Sequence, residues 1–281
     1  EKKFKESFEN ENLKKLLSLD KENRELIQKK EKLEQEKKII SKTKDKKNFE
    51  KSKKISISIS SLSKQQEDLK EKIFSIMSKL PNIALDDVPV GKDESSNKII
   101  KEFGEIKTFD FKVKSHVEIG EINKELDFDI SSKISGSRFA VLKNNFALLE
   151  RALINFMLDT HTIKFGYTEV SPPLIVNEQA MFGTGQLPKF ETDQYEIKDE
   201  NKNERKFLIP TAEVSLTNLI RSQTLNEDEL PKRFVASTAC FRKEAGSYGK
   251  DIKGLMRQHQ FYKVELVSIV NHKDCNSELD R

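Results

Sequence analysis

The chain has 281 residues, with 51 Lys and Arg against 47 Asp and Glu, a net charge of +4, and equal 35% shares of charged and apolar residues. One compact globule of this size would be more apolar, so part of the chain is expected to be elongated. Two distant cysteines, Cys240 and Cys275, exclude a disulfide framework or structural zinc site and fit a reducing cytoplasm, and no apolar run nears the roughly 20 residues of a membrane span.

The first residues, EKKFKESFEN, contain no signal-peptide core and no initiator Met, so the chain is expected to start inside a longer reading frame. Residues 1–80 are rich in Lys, Glu and Leu. Leu19, Leu26, Leu33 and Ile40 recur every seven residues. Ile59, Leu62, Gln66, Leu69, Ile73, Ile76 and Leu80 alternate steps of three and four. Each series draws one narrow stripe on a helix, as a coiled-coil seam requires. Asn23, Lys30 and Lys37 dilute the first stripe, which predicts an exposed two-helix packing. The basic stretch 41–54 is expected to be the turn between antiparallel helices, with arms of roughly 40 Å. Ile55, Ile57 and Ile59 also alternate like a strand, but the continuation to Leu80 favours helix. A lysine cluster near the tip, including Lys42, Lys44, Lys46 and Lys47, suits a phosphate backbone. A solvated spacer or dimer arm is the competing reading of the same residues.

Pro81 is expected to end the second helix, and PNIALDDVPVGKDESSN to be an extended linker. Phe146–His161 has helical spacing with a wide apolar face. GYTEVSPPLIV, 166–176, reads as a strand ending in a proline pair. KFLIPTAEVSLTNLI, 206–220, passes from strand to helix with Thr211 as its N-cap, and FVASTACF, 234–241, is a buried strand. After residue 99 there is no regular βαβ alternation, so an α+β domain with an antiparallel sheet is predicted. Phe241–Glu265 reads as strand, loop, strand: Arg242 and Glu244 precede a glycine-punctuated basic loop, and Arg257, His259, Phe261 and Glu265 follow it. This loop matches neither a Walker A loop nor a Rossmann fingerprint. Taken alone, Arg242 paired with Glu244 is an ordinary surface pair, Glu213 an ordinary first-turn carboxylate and Phe261 ordinary core.

Together these stretches resemble the bacterial type of seryl-tRNA synthetase, a class II aminoacyl-tRNA synthetase, almost end to end. The hairpin is similar to that family's tRNA arm. GYTEVSPPL resembles class II motif 1, and FRKE with RQHQF resembles motif 2; TGQLPKF and PTAEVSLTN resemble the seryl branch. The resemblance implies an N-terminal antiparallel two-helix coiled coil, residues 1–90, and a class II catalytic domain, 91–281. No stretch resembles the family's third motif, so the chain is expected to be a fragment ending before it.

The resemblance also implies an activity: ATP-dependent conversion of L-serine to seryl-adenylate, then transfer to tRNA(Ser) and, by the same chemistry, tRNA(Sec). It assigns serine to Thr211, Ala212, Glu213 and Glu265. It assigns ATP, arriving with Mg²⁺, to Arg242, Lys243, Glu244, Arg257 and Phe261, with Arg242 as the catalytic group. Pro173 falls at the interface of a cytoplasmic homodimer without membrane contact, and no resident metal is implied. His259 suits a structural hydrogen bond better than a base, because adenylation needs positioning and charge more than proton removal. The alternatives are a paralogue loading a small amino acid onto a non-tRNA acceptor, which residues 1–80 disfavour, and a non-catalytic coiled-coil protein.

Overall fold

The computed structural model describes residues 10–42, 46–80, 82, 84–91, 93–198, 204–245 and 254–281. The chain folds as two compact units divided between Ile106 and Lys107.

In the first unit, helix α1 (Asn10–Ile40, 31 residues) packs along α2 (Lys46–Met77, 32 residues). At 1.5 Å per residue each arm is about 46 Å long. The turn is shorter than the predicted 41–54. Lys46–Lys54 already belong to α2, because a Lys-rich stretch without Gly or Pro is a good helix former. Ile55, Ile57 and Ile59 are helical, and among the described residues of the seam Ile55 and Leu69 are the buried apolar ones. Asn23 lies in the half-buried stripe of α1, as predicted, with its side-chain oxygen buried and unpaired. Near the tip, Lys51 meets Glu36 at 2.9 Å. Helix α2 stops at Met77, and a turn through Leu80 follows; Pro81, the expected stop, lies outside the described residues.

The second unit begins with α3 (His116–Asn123), which Ser115 and Glu118 cap reciprocally. Strands β1 (Leu126–Asp127) and β2 (Val141–Leu142) pair around α4 (Phe128–Ser135). Helix α5 (Asn144–Asp159) continues into a π-helical turn, Thr160–Lys164. The predicted strand over 166–176 is instead two short ones, β3 (Thr168–Glu169) and β4 (Ile175–Asn177), in different sheets. The Pro172–Pro173 pair between them cannot donate ladder hydrogen bonds, so pairing cannot run through it.

Next come α6 (Glu178–Gly183), β5 (Glu196–Ile197), β6 (Lys206–Leu208) and α7 (Ala212–Thr217). The long strands β7 (Lys232–Phe241) and β8 (Gln260–Ile269) follow, then α8 (Cys275–Asp280). One sheet has the order β4-β6-β5, all antiparallel; the other is β3-β7-β8, antiparallel at β7–β8 and parallel at β3–β7. The fold is α+β, as predicted.

Helix α7 contributes to two cores. Val214 packs with Met181, Phe207 and Ile209 at the first sheet. Ala212 and Leu216 pack with Ala236, flanked by Phe234 and Val267, at the second. Being buried on more than one side, α7 is fixed in position, and so is its N-cap.

Arg205 ties the first sheet together. It meets Glu178 and Glu196 at 2.8 Å and Glu191 at 2.5 Å, and stacks 5.0 Å above Phe207. The pairing with Glu196 and Glu191 raises its pKa further. Bidentate Arg233 does the same for α8, meeting Glu278 at 2.7 Å through each of two nitrogens and pushing that carboxyl down to about 2.

Candidate active site

Side chains along a strand alternate between faces, so Phe261, Lys263 and Glu265 of β8 share one face. Their cross-strand partners on β7, Cys240, Thr238 and Ala236, share it too, as the contact of Thr238 Oγ1 with Cys240 Sγ at 3.5 Å bears out. These partners are small and buried, forming a floor beneath the longer side chains of β8. Burial pushes the Cys240 thiol up, so it stays protonated at neutral pH and is no nucleophile. Helix α7 covers the Phe234–Ala236 end of this face, and its N-cap meets the middle.

Thr211 is that N-cap. Its hydroxyl donates to Glu265 Oε2 at 2.5 Å. It accepts from the Glu213 N–H at 3.3 Å and from Lys263 Nζ at 2.8 Å. One donor and two acceptor positions are then all engaged. Lys263 Nζ also pairs with Glu265 Oε2. Ala212 is fully buried beneath this cluster, and Glu213 is exposed at its edge. The structure therefore brings Thr211 and Glu265 into direct contact, and it adds Lys263, which sequence reasoning missed. Its period-two position between Phe261 and Glu265 is the signal that was available.

At the other end of the row, Arg242 Nε donates to the Pro210 carbonyl at 3.2 Å. This tether directs the guanidinium over the Phe261 ring, 5.2 Å from its centroid. The Phe241 N–H donates to the Ile209 carbonyl at 2.9 Å, which fixes the end of β7 against the PTAE segment. Lys243 is exposed, its Nζ 5.7 Å from the centroid of Tyr195. Glu244 adopts a left-handed φ of 51° and meets Arg257 at 3.1 Å.

Asp193 grips the chain on both sides of Glu244: its carbonyl accepts from the Lys243 N–H at 2.9 Å and its carboxylate from the Ala245 N–H at 2.8 Å. Arg138, between α4 and β2, donates to the Glu244 carbonyl at 3.3 Å. Neither residue is predicted from sequence, because both act through backbone contacts far along the chain. Gly246, Gly249, Lys250 and Lys253 of the predicted loop lie outside the described residues. Where the chain re-enters, Gly254 has φ of 107° and the Leu255 N–H donates to His116 Nε2 at 2.9 Å. The Nδ1 of His259 lies 3.0 Å from the Arg242 carbonyl, and its ring packs beside Phe139 and Tyr195.

Pro173 meets the body of α7 rather than the cluster at its N-cap. It is exposed, and its carbonyl accepts from Ser215 at 2.8 Å. Lys42 is exposed at the hairpin turn; Lys44 and the side chains of Lys46 and Lys47 lie outside the described residues. Among the described residues there is no group of His, Cys, Asp and Glu that could hold a metal ion, and no helix long and apolar enough to cross a membrane.

Residues 195–281 match the class II core domain of tRNA synthetases for glycine, histidine, proline, serine and threonine. The chain is 58% identical to the serine–tRNA ligase of Pelagibacter ubique, over 95% of its own length and 64% of that protein's. It is 53% identical to the enzyme of Sulfurihydrogenibium, over 76% of its own length and 51% of that protein's. It superposes on the seryl-tRNA synthetase of Pyrococcus horikoshii, solved with ATP, with a TM-score of 0.84 and 34% identity, over 95% of this chain and 65% of that one. The cytoplasmic enzyme of Naegleria fowleri, solved with AMP, gives 0.82 and 25%, over 95% and 62%. The chain thus spans between about half and just under two thirds of the length of these relatives.

Proposed function

Because this chain belongs to the class II seryl-tRNA synthetases, we propose that it carries the serine site and most of the ATP site of a serine–tRNA ligase. In this reading the serine carboxylate attacks the α-phosphorus of ATP; a C–O–P anhydride forms and pyrophosphate leaves. The seryl group then passes to the terminal ribose hydroxyl of tRNA(Ser), or of tRNA(Sec).

The observation that carries the reading is the single row Phe261, Lys263, Glu265, with Arg242 over one end and Thr211 over the other. Adenine stacks on Phe261. Arg242 leaves that ring to clamp the α-phosphate and the attacking carboxylate, where its fork stabilises charge that grows in the transition state. Glu244 accepts from the adenine amino group. Arg257, released from Glu244, meets the distal phosphates, and Lys243 borders them. Mg²⁺ would be brought by the ATP phosphates, where it would offset their charge while needing few protein ligands. Glu265 and Thr211 read the serine ammonium and hydroxyl, with Ala212 and Glu213 shaping the turn. Buried polar readers reject alanine and glycine because these leave the readers unpaired.

The hairpin, residues 1–90, serves as the tRNA arm through Lys42, Lys44, Lys46 and Lys47, and residues 91–281 serve catalysis. The enzyme works as a homodimer in the cytoplasm. The exposed apolar side chains Leu149, Leu153 and Phe156 of α5, together with exposed Pro173, support a self-association surface. Serine-dependent ATP–pyrophosphate exchange by the full-length gene product tests the reading; exchange supported by alanine or glycine in place of serine would overturn it.

A further inference from the structure

The hydroxyl of Thr211 has no bonding position left. It donates to Glu265 and accepts from the Glu213 N–H and from Lys263 Nζ. An amino-acid ammonium that is to reach Thr211 or Glu265 Oε2 must therefore displace a resident donor. The Glu213 N–H is backbone in the first turn of a helix fixed by two cores and cannot withdraw. Lys263 Nζ ends a flexible stem and carries the same chemical group, R–NH₃⁺, as the ligand that would replace it.

The strand fixes where the displaced ammonium can go. Lys263 stands between Phe261 and Glu265, about 6.8 Å from each along the strand at roughly 3.4 Å per residue. With adenine over Phe261 and the amino-acid ammonium at Glu265, the carboxylate and α-phosphate meet above Lys263. We propose that Lys263 is a resident surrogate for the substrate ammonium: serine displaces its Nζ from Thr211 and Glu265, and the freed cation moves onto the serine carboxylate. There it orients the attacking oxygen beside Arg242. No proton is transferred; the carboxylate oxygen bonds to phosphorus as the bond to pyrophosphate breaks. This rests on the seryl-adenylate reading of the face.

The test compares L-serine with L-serinamide, which keeps the ammonium and hydroxyl but lacks the carboxylate. In the full-length enzyme, serine KM and serinamide inhibition constants are measured by pyrophosphate exchange. The Lys263→Gln variant is expected to lose at least tenfold of the preference for serine over serinamide, with kcat for exchange falling at least 30-fold. Lys263→Arg, which keeps the cation, is expected to retain the preference within about threefold, and melting temperatures are followed in parallel. A purely structural lysine would weaken both ligands equally. If the unmodified enzyme exchanges normally and Lys263→Gln leaves the ratio unchanged, the surrogate role is overturned while the seryl-adenylate reading stands. If Lys263→Gln does not fold, Lys263→Arg decides: loss of the preference in a folded Arg variant overturns the role, and its retention supports it. Failure of the unmodified enzyme to exchange with serine overturns both.

Discussion

In the hairpin of α1 and α2, Ile55 and Leu69 are the buried apolar residues among those described, whereas β7 alone buries Val235, Ala236, Ala239 and Cys240. The hairpin is a seam: each helix turn repeats the same local problem, and its stability is a sum of similar small contacts. The sheet is a junction. Thr211 at the N-cap of α7, Arg242 just past β7, and Lys263 and Glu265 on β8 come from three separate parts of the chain, and contacts such as Thr211–Glu265 and Arg242–Pro210 bridge dozens of residues. A seam tolerates dilution, as Asn23 with its buried unpaired oxygen illustrates. A junction does not, because moving one element displaces every group that converges there.

The contrast makes its sharpest prediction at Arg242. Replacement by Ala should lower kcat for serine-dependent exchange by about 10³, or roughly 4 kcal/mol, the effect of losing a group that bonds the developing charge. The melting temperature should change little, since the lost contacts are one hydrogen bond to Pro210 and the stacking on Phe261. Near-normal exchange would remove Arg242 from the site.

Leu69→Ala opens a cavity in the seam and should cost about 2–4 kcal/mol of hairpin stability, seen as lost helical signal on heating. If the hairpin serves tRNA alone, charging should fall while pyrophosphate exchange stays within twofold. Equal loss of both would collapse the distinction between the regions.

Gly254→Ala acts on the junction through shape. Its new Cβ would lie 2.5 Å from His116 Nε2, and φ of 107° strains any L side chain. The expected cost is about 1–3 kcal/mol, measured by denaturant unfolding. His116→Ala should relieve part of it, because the clash disappears with the ring.

The smallest effect concerns pH. Arg233 holds the Glu278 carboxyl at about 2, below its ordinary 4.5, so the pair stabilises the fold above 4.5 and loses that contribution as pH falls toward 2. Glu278→Gln should flatten this part of the stability–pH curve without changing exchange at neutral pH. An unchanged acid limb would show that the pair contributes nothing net.

Much of the fold was legible in the chain. Seven-residue spacing gave the hairpin, and the PTAE turn gave the N-cap, because periodicity and capping are local properties of the backbone. The extent of α2 and the break at Pro172–Pro173 were less so. Lysines tolerate both turn and helix, and a short strand takes its pairing from whichever sheet lies beside it.

The residue types of the site, Arg242, Glu244, Phe261 and Glu265, were determined by the sequence, as was the side of β8 that Phe261 and Glu265 share. Tertiary structure alone decided that Thr211 should reach that side, that its hydroxyl should be filled by Lys263, and that Asp193 should hold Glu244 in a left-handed turn. A strand's alternation fixes a face but not what lies over it. That depends on where α7 comes to rest between its two cores, a packing outcome that local spacing does not encode.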